Sequence, residues 1–237
     1  MNEAIRILMV LTAQATMGDG GAPTGVWFEE LTTPYYAFVD AGVEVDIASI
    51  PGGKIPLDPH SIQPAGKNPP SVERFMNDPV AMRKIEQSAK LDQHAAAPFA
   101  AIFLPGGHGT MWDLPQSRTL SELLTQAWAA GKVIAAVCHG PAGLINVRDA
   151  AGQPLVAGRR VSAFTNTEEA AAGLTQVVPF ALESRLRELG ARYESGPDFK
   201  AFAVRDGKLV TGQNPASSEA VARMALEAIF SAAPSRP

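Results

Sequence analysis

Apolar residues along the chain fall into short unbroken runs separated by stretches with helical spacing. Ile5–Thr12 is an apolar run with β-branched members, interrupted only by Arg6, and it leads into polar and Gly-rich sequence (Gly18-Asp19-Gly20-Gly21), the pattern of a buried parallel strand feeding a loop. Within Gly25–Ala41, residues Trp27, Leu31, Pro34, Tyr35 and Phe38 share one helical face, and Gly42 closes the helix. Val43–Ala48 is a second strand, stopped by Pro51-Gly52-Gly53. From about 54 to 97 the pattern changes to proline, polar and charged residues, with a helix predicted over Pro79–Lys90 and no strand. A stretch this long inside a compact domain is expected to be a functional insertion or cap. Beyond it, strands are predicted at Phe99–Leu104, Val133–Val137 and Arg160–Phe164, with helices at about Ser117–Ala130 and Pro179–Leu189. Another helix is expected to open at Cys138-His139-Gly140-Pro141. Phe202–Val210 reads as a hairpin turning at Asp206-Gly207, and Asn214 with Pro215 opens a final helix. Strands alternating with helices predict one α/β domain over 1–237: a three-layer α/β/α sandwich around a mainly parallel sheet.

Composition removes several function classes. The 237 residues are 46% hydrophobic, too apolar for a disordered chain, yet no apolar run approaches the roughly 20 residues of a membrane-spanning helix. Lys+Arg 20 against Asp+Glu 24 gives a net charge of −4, and the basic residues are scattered, so neither nucleic acid nor an anionic membrane is expected as a partner. Cys138 is the one cysteine, so there is no internal disulfide; this fits a reducing, cytoplasmic compartment. The first apolar run follows Glu3 and lacks a small-residue cleavage site, unlike a secretory signal. His60, His94, His108 and His139 show no paired spacing on a helix face, so no metal site and no cofactor are expected.

In such sheets ligands bind beyond the carboxyl ends of the strands, and two turns at that edge carry candidate chemistry. Ala135-Ala136-Val137-Cys138-His139-Gly140 has the logic of a nucleophile elbow: small neighbours permit a sharp turn that exposes a reactive side chain. The positive end of the following helix is expected to favour the Cys138 thiolate, although a free cysteine is more often a small buried hydrophobe. In Leu104-Pro105-Gly106-Gly107-His108-Gly109 the glycines let backbone N–H groups turn inward, and the Gly107 and His139 N–H groups are candidate oxyanion donors. His139 can flank the thiolate, and Glu168 or Glu169 can orient it; either carboxylate could equally be a solvated loop charge. At about 100° per residue, Glu30 lies roughly 60° from Trp27 beside the apolar stripe while Glu29 falls near the opposite face. Glu30 is therefore the candidate functional acid and Glu29 a solvated one.

With these residues in view the chain resembles the ThiJ/PfpI superfamily, whose fold is that of class I glutamine amidotransferase domains. The resemblance rests on the elbow through Pro141, on Leu104–Gly109, on Thr24-Gly25-Val26-Trp27-Phe28-Glu29-Glu30, on Phe164-Thr165-Asn166 to Glu169, and on Thr211-Gly212-Gln213-Asn214-Pro215-Ala216-Ser217. It is most similar to the branch of heat-shock chaperone-like, glutathione-independent glyoxalases (glyoxalase III), which carry an insertion after the second strand. The resemblance implies a flavodoxin-like sheet, a homodimer, Cys138 as nucleophile, His139 and Glu169 as its triad partners with Glu168 one residue away, and Glu30 as the acid against the cysteine. It also places substrate and its oxyanion at Gly107, His108 and His139, and implies a small reactive carbonyl as substrate with no metal, nicotinamide or glutathione. Ala163 departs from the family pattern, standing where Gly is expected, a change that bears on packing more than on chemistry.

The elbow serves other chemistry too. A cysteine peptidase or amidohydrolase would use the same turn, and a protein deglycase is a further hydrolytic reading; a cap over 54–97 would favour small substrates over intact proteins. A holdase chaperone would not need Cys138, whereas a redox sensor would work through its oxidation.

Overall fold

The apolar run at the start of the chain forms the centre of the sheet, flanked on both sides, which is why it has no polar alternation. The computed structural model describes residues 4–231. In chain order its elements are β1 (Arg6–Leu11), α1 (Phe28–Asp40), β2 (Glu44–Ser49), α2 (Pro70–Met76), α3 (Pro79–Glu86), β3 (Ala89–Lys90), β4 (Ala101–Leu104), α4 (Thr110–Asp113), α5 (Arg118–Ala129), β5 (Val133–Val137), β6 (Arg160–Val161), α6 (Asn166–Ala171), α7 (Leu182–Glu188), β7 (Arg192–Tyr193), β8 (Ala203–Asp206), β9 (Leu209–Gly212) and α8 (Ser218–Phe230). Seven strands run in the order β3-β2-β1-β4-β5-β9-β8, all parallel except β8, which pairs antiparallel with β9 as the expected hairpin. The α/β class and the mainly parallel sheet are as expected from the sequence.

Period-two alternation divides the core into two layers. Ile7, Met9, Ala101, Phe103, Val133, Ala135 and Val137 pack on the side of α1 and α8. Leu8, Val10, Ile102, Leu104, Ile134 and Ala136 face the opposite layer, which holds α5. The chain leaves β1 towards β2 on one side and β4 on the other, so β1 and β4 form a switch point whose carboxyl edge is a natural crevice. The loops after β1, β4 and β5 all end there.

The structure differs from the sequence reading in particular places. The segment after the elbow is a single 3₁₀ turn, Gly140–Leu144, rather than an α-helix. Two glycines and a proline within five residues make poor helix, and Gly140 sits so close to strand β4 that a Cβ would lie 2.2 Å from the Leu104 carbonyl oxygen. The strand expected at Arg160–Phe164 is only Arg160–Val161, paired with β7 in a separate two-stranded ladder. Ala163 beyond it is buried, and its carbonyl accepts from the Tyr193 hydroxyl.

The insertion also differs. It contains helix α2 and the two-residue strand β3, which extends the sheet beside β2, although no strand was expected there. Helix α3 stops at Glu86, short of the expected Lys90. Its helical part packs on the flank of α1 instead of over the elbow, while Leu57 pairs with Val26 and brings Asp58 and His60 to the crevice. Phe75 of α2 anchors the contact: it is fully enclosed, with edge-on rings of Phe28 at 5.5 Å and Tyr35 at 5.2 Å. No helix among the described residues is long and apolar enough to cross a membrane.

Truncating Phe75 to alanine should cost about 3–5 kcal/mol, because the aromatic cage around it cannot collapse fully. Urea unfolding of Phe75→Ala against wild type measures this, and a loss below about 1 kcal/mol would show the insertion is not held by that contact.

Candidate active site

Strand β5 ends at Cys138, whose φ of 58° lies in the left-handed region that a side chain rarely adopts. The strain, of order 1–3 kcal/mol, is held by backbone bonds on both sides of the turn. The Cys138 N–H donates to the Gly212 carbonyl at 2.9 Å, and the Cys138 carbonyl accepts from the Phe164 N–H at 2.9 Å. The turn places Cys138 at the crevice, where the residue is 4% exposed. The Gly107 and His139 N–H groups face the sulfur. Thr110 Oγ1 lies 2.8 Å from the Gly107 carbonyl and 3.1 Å from that of His139, so one hydroxyl ties the two donor turns together. Gly107 has φ of 102°, and a Cβ there would lie 2.1 Å from the Gly25 carbonyl oxygen, which explains the glycine.

His139 is fully enclosed, with Nδ1 3.3 Å from Sγ and Nε2 2.8 Å from Glu169 Oε2. The other Glu169 oxygen lies 2.9 Å from His108 Nε2. Burial alone would raise the Glu169 carboxyl, but the two imidazole donors outweigh it and bring the pKa down to about 2. Burial first, and then the His108 ring, push His139 down to about 4 despite Glu169. His139 is therefore neutral at pH 7. Because an ionised carboxylate only accepts, the His139 proton sits on Nε2, and the Nδ1 lone pair faces the thiol.

Glu30 is treated oppositely. It is fully enclosed on α1, and desolvation raises its pKa to about 8. The Gly106 N–H donates to Oε2 at 2.7 Å, Oε1 has no nitrogen or oxygen partner among the described residues, and the carboxyl meets the Cys138 thiol. Burial and Glu30 likewise push the thiol up, so the expected preference for thiolate is reversed in the resting site. The two groups titrate as a pair that gives up one proton between them. Glu29, expected to be solvated, is half-buried and raised for that reason.

Glu168 and Glu169, adjacent in α6, have distinct surroundings. Glu168 accepts from the Thr165 N–H, the Phe199 N–H, Gln213 Nε2 and Asn214 Nδ2, tying α6 to the loops around β9. It is buried away from His139 and touches neither imidazole. Phe164 stacks on the His139 ring at 4.5 Å. A cavity of about 330 Å3 opens against His108 and is lined also by Met17, Trp27, Asp58, His60 and Leu174. Asp58 Oδ1 lies 3.0 Å from His60 Nδ1.

The structure thus brings Cys138, His139, Glu30, Glu169, Gly107 and His108 into one cluster. The sequence does not mark Phe164, Thr110, Asp58 or His60 as part of the site: Phe164 stands inside a quoted motif, His60 enters only among the histidines weighed as metal ligands, and nothing singles out Thr110 or Asp58. Sequence spacing offered no metal set, yet His108, His139 and Glu169 place ligand-type atoms within 4.8 Å of one another. An ion held there would replace both imidazole protons. A family model described as the DJ-1/PfpI family matches residues 24–228.

The chain belongs to the DJ-1/PfpI family.

Among DJ-1/PfpI relatives, the glutathione-independent glyoxalase hsp3101 of Schizosaccharomyces pombe is 35% identical over 219 residues, covering 87% of this chain and 88% of the relative. The solved structure of glyoxalase III from Candida albicans is 30% identical with a TM-score of 0.86, covering 95% of this chain and 98% of that one. That of the Rapid Encystment Protein 24 KDa of Francisella tularensis is 38% identical with a TM-score of 0.91, covering 95% and 99%.

The raised Glu30 carboxyl predicts a stability signature for this DJ-1/PfpI protein. Between its unfolded value of 4.5 and its folded value of about 8, the folded state keeps a proton that the unfolded chain releases, so stability falls as pH rises across that window. Glu30→Gln keeps an acceptor for Gly106 and removes the titration. It should exceed wild type by about 3 kcal/mol at pH 7, with the gap closing towards pH 5. Chemical denaturation across that range measures it; a gap independent of pH would contradict the assignment.

Proposed function

We propose that the protein converts methylglyoxal and related 2-oxoaldehydes to 2-hydroxy acids, lactate in the first case, without glutathione. The observation that carries this reading is the Cys138 thiol set between the His139 Nδ1 lone pair and the Glu30 acid, in a chain whose relatives along most of its length are named glutathione-independent glyoxalases. The nearly closed sulfur and the modest cavity favour a small carbonyl over an intact protein chain, which supports a glyoxalase over a peptidase.

The mechanism follows from the contacts. Cys138 Sγ attacks the aldehyde carbon C1 as its proton passes to His139 Nδ1, and Glu169 stabilises the imidazolium. The oxyanion of the hemithioacetal rests on the Gly107 and His139 N–H groups. A base removes the C1 proton and returns it to C2, giving a thioester of the 2-hydroxy acid. Water then cleaves the thioester and restores the thiol. Glu30 keeps its proton and donates to the sulfur whenever it carries charge, as it does when the thioester breaks. Aldehyde and water balance the product, so no redox partner enters.

Purified, reduced protein should form lactate from methylglyoxal with no glutathione present, and Cys138→Ala should fall to the uncatalysed rate while remaining folded. Absence of lactate with the wild type, or undiminished turnover in Cys138→Ala, would refute the proposal. Cleavage of amide or ester substrates in its place would point to the cysteine-hydrolase reading.

A further inference from the structure

The isomerisation step needs a base that meets the substrate, and the two acids and bases nearest the sulfur are both committed. His139 has Nδ1 at Sγ and Nε2 at Glu169, and it holds the thiol proton once the adduct forms. Glu30 is enclosed and protonated, with one oxygen on the Gly106 N–H. We propose that the imidazole of His108 carries the proton between C1 and C2, an assignment that rests on the glyoxalase reading above.

His108 is the member of the cluster that lines the cavity. Its Nε2 is held by Glu169, so in the neutral ring the proton lies on Nε2 and the lone pair on Nδ1. That Nδ1 makes no hydrogen bond among the described residues, which leaves it free to take a proton. The ring centroid stands 4.1 Å from that of His139, and Phe164 packs edge-on at 6.0 Å, so the ring is confined. His108 also directly follows Gly107, whose N–H faces the sulfur. The oxyanion donor and the base therefore sit on one turn, fixed by the Thr110 hydroxyl on the Gly107 carbonyl. For a substrate with C1 on Sγ and its oxygen on that N–H, we place C2 on the side of His108, towards the cavity that the imidazole lines. His60, the other imidazole on the cavity wall, stands at the outer rim with its side chain 72% exposed and Nδ1 on Asp58.

The protons and electrons balance. His108 Nδ1 takes the C1 proton, the C1–H electron pair becomes the C1–C2 double bond, and the C2 carbonyl π pair moves to its oxygen. That oxygen takes the proton held by His139. His108 then returns its proton to C2 as the C1 oxygen re-forms a carbonyl, leaving the Cys138 thioester and both imidazoles neutral. Glu169, bonded to both rings, stabilises whichever is charged.

The test uses His108→Ala and His108→Gln, with His60→Ala beside them, each assayed on methylglyoxal and on its C1-deuterated form, with and without added imidazole. His108→Gln keeps an N–H for Glu169 but no base, and covers the case in which the alanine variant fails to fold. Both His108 variants should lose about 10²–10⁴-fold in kcat, the usual worth of a positioned acid–base group. They should still consume the Cys138 thiol on adding methylglyoxal. C1 deuteration should slow their kcat more than that of wild type, and imidazole should restore His108→Ala in proportion to its free-base concentration. A kcat loss below about tenfold would overturn the assignment. So would a larger loss with no imidazole rescue and an unchanged isotope effect, or rescue confined to His60→Ala. If the wild type itself makes no lactate, the glyoxalase reading fails, and this assignment fails with it; a failure limited to His108 leaves wild-type turnover intact.

Discussion

The Glu169 carboxylate lies between two imidazoles in a space almost closed to water, and both of its oxygens are used. A carboxylate that can only accept forces each ring to present its Nε2 proton and therefore an Nδ1 lone pair on its far side. On His139 that lone pair meets the Cys138 sulfur. His108 itself lines the cavity. One ionic contact thus orients two bases towards two different reacting atoms, and the neutrality of His139 at pH 7 keeps the first of them ready to accept.

Two buried carboxyls around one thiol–imidazole pair behave oppositely, and local donors decide the difference. Glu169 has two imidazole donors, which outweigh its desolvation; Glu30 has one backbone donor and a thiol, which do not. Groups driven apart in this way can divide acid and base roles at a single pH. The left-handed Cys138 is what brings the sulfur to Glu30 directly and to Glu169 through His139: strand β5 has to turn within one residue, and the Gly212 and Phe164 backbone bonds keep it turned. Strain at this residue is the local cost of exposing the thiol at the switch point between β1 and β4.

The elements with one physical signature were legible in the sequence. The apolar runs of β1 and β5 and the hairpin at Asp206-Gly207 follow from period and turn chemistry, whereas Asn214 with Pro215 opens a 3₁₀ turn, Pro215–Ser217, that leads into the last helix at Ser218 instead of starting it. Glu30 was separable from Glu29 by helical angle, because burial on α1 is a matter of face. Features set by contacts distant in the chain were not legible. Helix α2 owes its place to Phe75 in the α1 aromatics, and β3 exists because β2 offers it an edge. Glu168 and Glu169, one residue apart, differ only through Phe199, Gln213 and Asn214 on one side and the two histidines on the other. The thiol misled in the other direction: motif logic called for a positive helix end, whereas the 3₁₀ turn and the Glu30 acid make burial the dominant influence.

Glu169 fixes His139 as a neutral ring with its proton on Nε2. Nitrogen NMR of histidine-labelled protein, followed from pH 8 down to pH 5, measures this directly. His139 should show one protonated nitrogen, Nε2, and one bare nitrogen, Nδ1, throughout that range. An imidazolium signal for His139 at pH 7, or a proton on Nδ1 in place of Nε2, would contradict it.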